Sequence, residues 1–287
     1  MKKIAISGFT GFIASRLSPF LKEKGYHVIP LLRSDFENKA LLKEKLLSSD
    51  IVINLAGEPI IKRWSESYKK KLYISRVDLT RDITEILRNE GKHPECFISA
   101  SAVGIYPDFR LCHEDCEDLR EDFLGKLCRD WENAALSIKD ISRVVVFRIG
   151  VVIGKNGGII KKVSPLFKLG LGGKIASGKQ GFSWIHIDDL CKAIFFAIEN
   201  KGMEGIFNAV SPNPVDNLEF TKALGRVLKR PVVFPVPSFA LKILFGEGAS
   251  VLVEGQKAIP KRLIEAGFKF NYPELDTALK QVFYERL

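Results

Sequence analysis

The stretch Lys3-Ile4-Ala5-Ile6-Ser7-Gly8-Phe9-Thr10-Gly11-Phe12-Ile13-Ala14 decides the fold. Its first five residues form a short apolar run expected to be a strand ending at Ser7, and an apolar-faced helix is expected from Phe12 to Lys24. Between them lies Gly8-x-x-Gly11-x-x-Ala14. The first glycine permits a tight turn. The second lets backbone amides approach a pyrophosphate at the helix N-terminus, where the dipole favours negative charge. The third position needs only a small side chain for packing of helix on sheet, so alanine serves. The turn therefore predicts dinucleotide contacts from Gly8, Thr10, Gly11, Phe12 and Ile13, against the alternative of an ordinary tight turn.

Outward from this turn, short runs rich in β-branched residues alternate with longer amphipathic segments. The further strand candidates are HVIPLL (27–32), DIVINLA (50–56), CFISA (96–100) and RVVVFRIG (143–150); the further helical patterns run from Asn38 to Leu47, Ser65 to Asn89 and Leu119 to Lys139. This alternation predicts βαβ units and a doubly wound, Rossmann-type parallel α/β sheet, with the ligand crevice at the carboxyl ends of the strands. After Gly150 the texture changes to glycine-rich loops at 154–158 and 170–181, then SWIHIDDL (183–190) resumes a strand-and-helix pattern. The expected division is a dinucleotide-binding domain over 1–150, completed by about 182–211. A smaller C-terminal α+β lobe would be built from 151–181 and 212–287, with the glycine loops near the surface over the ligand.

The composition narrows the class. The chain has 287 residues, 46% of them hydrophobic, and a net charge of +10, but its lysines and arginines are spread along its length rather than gathered into a tail. A solvated surface that attracts an anionic small ligand is expected, and nucleic acid is not. No apolar run approaches the roughly 20 residues of a membrane span, and the amino terminus lacks the apolar core of a signal peptide, so the expected compartment is the cytoplasm. Five cysteines without regular spacing fit reduced thiols. The cluster Cys112-His113-Glu114-Asp115-Cys116 has metal-capable residues but no second ligand group to complete a tetrahedral site, so no metal is expected.

The end of the second strand selects between dinucleotides. NAD-binding turns place an acid there for the ribose hydroxyls, whereas this chain reads Leu31-Leu32-Arg33-Ser34. Arg33 offers a fork of donors to a 2′-phosphate and Ser34 a hydroxyl, which favours NADP(H), provided that Asp35 turns its carboxylate away.

With GFTGFIA (8–14), INLAGEPI (53–60), ISASAVGIY (98–106) and SWIHIDDL in this order, the chain resembles the extended short-chain dehydrogenase/reductases, the superfamily of nucleotide-sugar epimerases and dehydratases. The further motifs RIGVVIG (148–154), GKQGFSWIHIDDL (178–190) and FGEGASVLVEGQKAIPKRL (245–263) are similar to its atypical, epimerase-like branch called family 39U. The resemblance covers essentially the whole chain. It implies that Gly8, Gly11 and Ala14 form the phosphate loop, that Arg33 and Ser34 select NADP, and that Leu55 and Ala56 line the adenosine side. It also implies a cofactor contact from Arg76 and passage of Gly150 and Val151 beside the nicotinamide.

The superfamily's redox chemistry ordinarily uses a tyrosine and a lysine four residues later, the cation lowering the phenol's pKa so that it exchanges a proton with substrate. None of the six tyrosines is followed by lysine at that spacing, and anchoring on Glu132 puts Leu124 and Cys128 at the two positions. Ser101 matches the superfamily's serine that hydrogen-bonds a substrate oxygen, against the alternative of simple strand-end capping. Tyr106, expected at the mouth of the crevice, is the candidate phenol, as a catalytic acid or as a cofactor or substrate contact. His186 is read either as an acid or base or as part of a buried network joining the lobes, and Asp188 and Asp189 as caps of a helix beginning near Leu190. Lys155, Lys174 and Lys179 are candidate contacts to a phosphorylated or nucleotide substrate. The expected protein is thus an NADP(H)-binding, epimerase-like oxidoreductase acting on a small molecule, anionic or nucleotide-linked. The alternative is a non-catalytic NADP-bound sensor or scaffold; a homodimer is an open expectation.

Overall fold

In the computed structural model, which describes residues 1–284, the strands are β1 (Lys3–Ser7), β2 (His27–Leu31), β3 (Ile51–Asn54), β4 (Cys96–Ala102), β5 (Leu111–Cys112), β6 (Arg143–Ile149), β7 (Val151–Ile153), β8 (Gly181–Phe182), β9 (Trp184–His186), β10 (Gly205–Ala209), β11 (Val215–Asp216) and β12 (Lys257–Ala258). Six of them make one sheet in the order β10-β6-β4-β3-β1-β2. Every pairing in it is parallel. The chain runs from β1 out to β2 and then crosses to β3 on the other side of β1. That reversal opens a crevice beyond the carboxyl ends of β1 and β3.

Side chains of successive strand residues point to opposite faces, and both faces are buried. On one, Ile4, Ile6, Ile53, Ile98 and Phe147 pack with α1 (Phe12–Glu23), which contributes Ala14, Leu17 and Leu21. On the other, Ala5, Val52, Phe97 and Val146 meet Leu42, Leu46, Ile83, Leu87 and Ala135. Full burial of a side chain such as Leu17 or Leu46 contributes about 1.5–3 kcal/mol each. On this second face Leu42 and Leu46 come from α3 (Lys39–Leu47), Ile83 and Leu87 from α5 (Leu79–Asn89) and Ala135 from α6 (Phe123–Leu136), while the short helices α2 (Arg33–Glu37) and α4 (Glu66–Tyr73) precede α3 and α5 in the chain.

The structure revises three of the sequence patterns. Between Ser65 and Asn89 the expected helix is α4 and α5 joined by a π-helical turn over Ile74–Asp78, which carries Ser75 and Arg76. The pattern from Leu119 to Lys139 contains a shorter helix, α6, whose start is set by Asp122 accepting from the Gly125 amide at 3.0 Å. Arg33 and Ser34, read at the end of the second strand, lie just past β2 in the first turn of the short helix α2.

After β6 the chain adds α7 (Gly158–Lys168), then α8 (Ile187–Glu199), which lies beside α1, and α9 (Asn217–Leu228). Around Trp184 and Ile153 the helices α7 and α9 and the helix Leu275–Tyr284 form a separate apolar cluster. Phe182 stacks on Phe220 there at 4.3 Å. The result is a parallel α/β sheet with a smaller C-terminal lobe. Its first glycine loop does not stand off as a free flap: Gly157 lies flat on the Phe12 ring, where an added Cβ would come within 1.9 Å.

Candidate functional site

The crevice begins at the Gly8 turn. Gly8 has φ +66°, and a Cβ there would stand 2.6 Å from the Leu55 carbonyl oxygen, so the turn lies directly on the end of β3. The Gly11 amide donates to the Gly8 carbonyl at 2.8 Å, which closes the turn, and α1 starts with no side-chain cap and no acid in its first turn. The first amides of a helix have no partner within it. Here, at the glycine turn, no side chain caps them either. Thr10 and Gly11 are exposed and Phe12 and Ile13 half-buried around it.

A buried polar chain holds the floor. Ser7 Oγ donates to Asn54 Oδ1 at 2.5 Å, and Asn54 Nδ2 donates to Thr80 Oγ1 at 2.7 Å. Thr80 in turn donates to the Arg76 carbonyl. The amide of Leu55 donates back to Ser7 Oγ at 3.2 Å, so the loop of Leu55 and Ala56 is tied to β1. These positioning residues escaped the sequence reading, although two polar residues ending apolar strands, Ser7 and Asn54, were a visible signal.

Just past β2, the Arg33 side chain is 83% exposed, and its Nη2 donates to Glu58 Oε1 at 2.6 Å. Ser34 is exposed beside it. Asp35 is turned under: its Oδ2 accepts from the Leu32 amide and from Lys45 Nζ, both at 2.7 Å, and the residue is buried. The condition that its carboxylate leave the site is met. Arg76 Nη2 donates to the Glu58 carbonyl at 2.8 Å, and the guanidinium lies 5.5 Å from the Trp131 ring centre and against Gly57. Burial lowers its pKa, and among the described residues no carboxylate is in ion-pair range of it.

Deeper in, Ser101 at the end of β4 is buried and donates to Glu132 Oε1 at 2.7 Å. Arg148 on β6 donates to both Glu132 oxygens at 2.8 Å and, at 2.8 Å, to the Tyr106 hydroxyl, which donates to Asn208 Oδ1 at 2.9 Å. This corrects the expected place of Tyr106. It is fully buried rather than at the crevice mouth, its hydroxyl has both a donor and an acceptor, and burial pushes its pKa up to about 12 despite Arg148. The helical positions Leu124 and Cys128 are buried too, and burial pushes the Cys128 thiol up to about 12. Gly150 donates to the Ala209 carbonyl at 3.2 Å and packs on Ser183, and the half-buried Val151 opens β7 with its amide on the Ser183 carbonyl at 2.8 Å.

His186 belongs to the joint between sheet and lobe. As N-cap of α8 its Nδ1 accepts from the Asp188 amide at 3.3 Å, so Nε2 carries the proton and donates to Gln281 Oε1 at 2.9 Å. Asp188 pairs with Arg16 at 2.8 Å, while Asp189 accepts from the amides of Asn271 and Tyr272. The helix starts at Ile187, so neither aspartate is its cap. Burial lowers the His186 pKa below 6.5. The unfolded chain therefore takes up the proton first, and the stability that neutral His186 contributes above its ordinary pKa is lost as pH falls through the folded value. Urea midpoints measured from neutral to about pH 5 should fall more steeply for the wild type than for His186→Gln, which has no ring to protonate.

The remaining candidates lie outside this crevice or on its rim. Lys155 and Lys179 are exposed and Lys174 is half-buried, its Nζ 3.4 Å from the Ser177 carbonyl. Cys112 and Cys116 are free thiols 3.1 Å apart, and no group of three metal-capable side chains converges among the described residues. Among those residues no helix is long and apolar enough to cross a membrane.

Comparison with known proteins places this arrangement. Residues 4–209 match the model of the NAD dependent epimerase/dehydratase family, and residues 236–282 match a domain of unknown function, DUF1731. The chain is 38% identical to the chloroplastic epimerase family protein SDR39U1 homolog of Arabidopsis thaliana, covering 97% of this chain and 86% of that one. It is 36% identical to the epimerase family protein YfhF of Bacillus subtilis, over 99% and 98%. The crystal structure of human epimerase family protein SDR39U1 with NADPH superposes with a TM-score of 0.90 at 33% identity, over 98% of each chain. The chain therefore belongs to the NAD-dependent epimerase/dehydratase family, in its 39U branch, the atypical extended short-chain dehydrogenase/reductases.

Proposed function

We propose that the protein binds NADP(H) in this crevice and acts as an epimerase-like oxidoreductase on a small anionic or nucleotide-linked substrate, without the tyrosine and lysine pair of its superfamily. The observation that carries the cofactor reading is the exposed Arg33 guanidinium beyond β2, with Asp35 withdrawn onto Lys45. The residues fit the group: the Gly8 cradle and the uncapped start of α1 suit a pyrophosphate, Arg33 and Ser34 a 2′-phosphate, and Arg76 a further anionic oxygen. That the human relative was crystallised with NADPH supports this reading. The bound nicotinamide would supply or accept hydride.

On the protein side, Ser101 is the group we assign to a substrate oxygen. Glu132 holds its hydroxyl, and Arg148 with Tyr106 fixes Glu132. Tyr106 is thereby a positioning residue. The lobe from 151–181 and 212–287 would carry the substrate side, with Lys155, Lys174 and Lys179 on its rim. The decisive experiment is titration of Arg33→Asp with NADPH and NADH. A hydrogen bond to a charged group contributes about 1.5–3 kcal/mol, so NADPH should weaken about ten- to a hundredfold while NADH does not. An unchanged preference sinks the reading.

The buried, non-acidic Leu124 and Cys128 favour a second reading, an NADP-bound sensor or scaffold that does no chemistry. Bound NADPH that stays reduced across a panel of carbonyl compounds, nucleotide sugars included, would favour it.

A further inference from the structure

We propose that Glu58 is a specificity-determining residue of this cofactor site: its carboxylate competes with the adenosine 2′-phosphate for Arg33 and limits the preference for NADP(H) over NAD(H). The inference rests on the NADP(H) reading above.

The geometry sets up the competition. Arg33 projects into solvent from the first turn of α2, and Glu58 is the one carboxylate in ion-pair range of it among the described residues. Glu58 cannot follow the arginine elsewhere, because its backbone is pinned at both ends of the residue. Its amide donates to Ser75 Oγ at 3.1 Å and its carbonyl accepts from Arg76 Nη2 at 2.8 Å, both partners belonging to the π-helical turn. Its side chain is 23% exposed against 83% for Arg33, so the acid is the fixed partner and the guanidinium the mobile one. Asp35, the other acid of this corner, is held by Lys45 and the Leu32 amide.

A 2′-phosphate that takes the Arg33 fork has to break the pair and leaves a carboxylate beside a dianion, a like-charge contact. The 2′-hydroxyl of NAD(H) presents a donor instead, which a carboxylate accepts. The same side chain thus opposes one dinucleotide and suits the other. Its position in the loop after β3 differs from the usual place for such an acid, at the end of β2.

The test is calorimetric titration of wild type and Glu58→Gln with NADPH, NADH, 2′,5′-ADP and 5′-AMP. The fragments isolate the adenosine corner and involve no hydride. Removing the charge of a partly exposed pair should tighten NADPH and 2′,5′-ADP about three- to fivefold and leave NADH and 5′-AMP unchanged or weaker. In the Arg33→Ala background the gain should shrink to the part that comes from relieving the like-charge contact, since no guanidinium is there to be freed. If Glu58→Gln leaves NADPH unchanged or weakens it while the wild type still prefers NADPH, Glu58 only steadies Arg33 and the proposal is overturned. A wild type that binds neither NADPH nor 2′,5′-ADP would instead overturn the cofactor reading, and this inference with it.

Discussion

Replacing Glu132 with alanine is expected to lower the free energy of unfolding by about 3–5 kcal/mol, the cost of leaving a buried charge without its partner. Both side chains of the Glu132–Arg148 pair are 5% exposed, and both carboxylate oxygens accept from the guanidinium. Alanine strands that guanidinium inside the protein and removes the acceptor of the Ser101 hydroxyl. Against a usual total of about 5–15 kcal/mol, the loss should be plain in urea denaturation. The double change of Glu132→Leu with Arg148→Met should cost less than Glu132→Ala alone, because it removes both charges. A single variant as stable as the wild type would mean that the buried network supports nothing. The same double variant, if folded, separates structure from function: it should still bind NADPH, since neither residue faces the phosphate turn.

Gly8→Ala should produce the second large effect, at the cofactor end. A side chain at φ +66° strains the backbone, and its Cβ would sit 2.6 Å from the Leu55 oxygen, backbone that cannot rotate aside as a side chain would. Left-handed strain together with overpacking amounts to about 2–4 kcal/mol. The turn would have to move away from β3, taking the α1 amides out of register with a pyrophosphate, so NADPH affinity should fall more than about tenfold. Gly25→Ala is the control. Gly25 also has a positive φ, +85°, but nothing lies within 4 Å of an added Cβ, so only the conformational cost of about 1–2 kcal/mol should appear, with NADPH binding intact. Equal losses in the two variants would show that the Leu55 contact does not matter.

Much of the fold is legible in the sequence. Five strands of the sheet follow from short apolar runs, and the Gly8 turn from three small residues at fixed spacing, because strand period and turn chemistry are local properties. The sixth strand, β10, was not among the strand candidates: its Gly205-Ile206-Phe207-Asn208-Ala209 carries a glycine and an asparagine, poor strand residues, and only lies in the sheet by pairing with β6. The break of Ser65–Asn89 by a π-helical turn was equally invisible, since an apolar pattern of helical period does not reveal one extra residue in a turn.

The site divides along the same line. The residue types of the proposed phosphate turn and 2′-phosphate fork could be read at Gly8, Gly11, Arg33 and Ser34, and so could the lack of any tyrosine with a lysine four residues on. What each polar side chain does was not. Tyr106 reads as a phenol near a crevice until Asn208, 102 residues away, and Arg148, 42 residues away, take its hydroxyl. His186 reads as an acid or base until Gln281, 95 residues on, accepts its proton.

By itself, then, the sequence determined the parallel α/β sheet, the glycine turn after β1 and the lack of any tyrosine with a lysine four residues on, each a matter of neighbours along the chain. The tertiary structure alone decided that Asp35 turns onto Lys45, that Glu58 pairs with Arg33, and that Ser101 hangs on Glu132 and Arg148. Those outcomes depend on which distant polar groups meet in a low-dielectric interior, where an unpaired charge is costly, and no local pattern encodes such meetings.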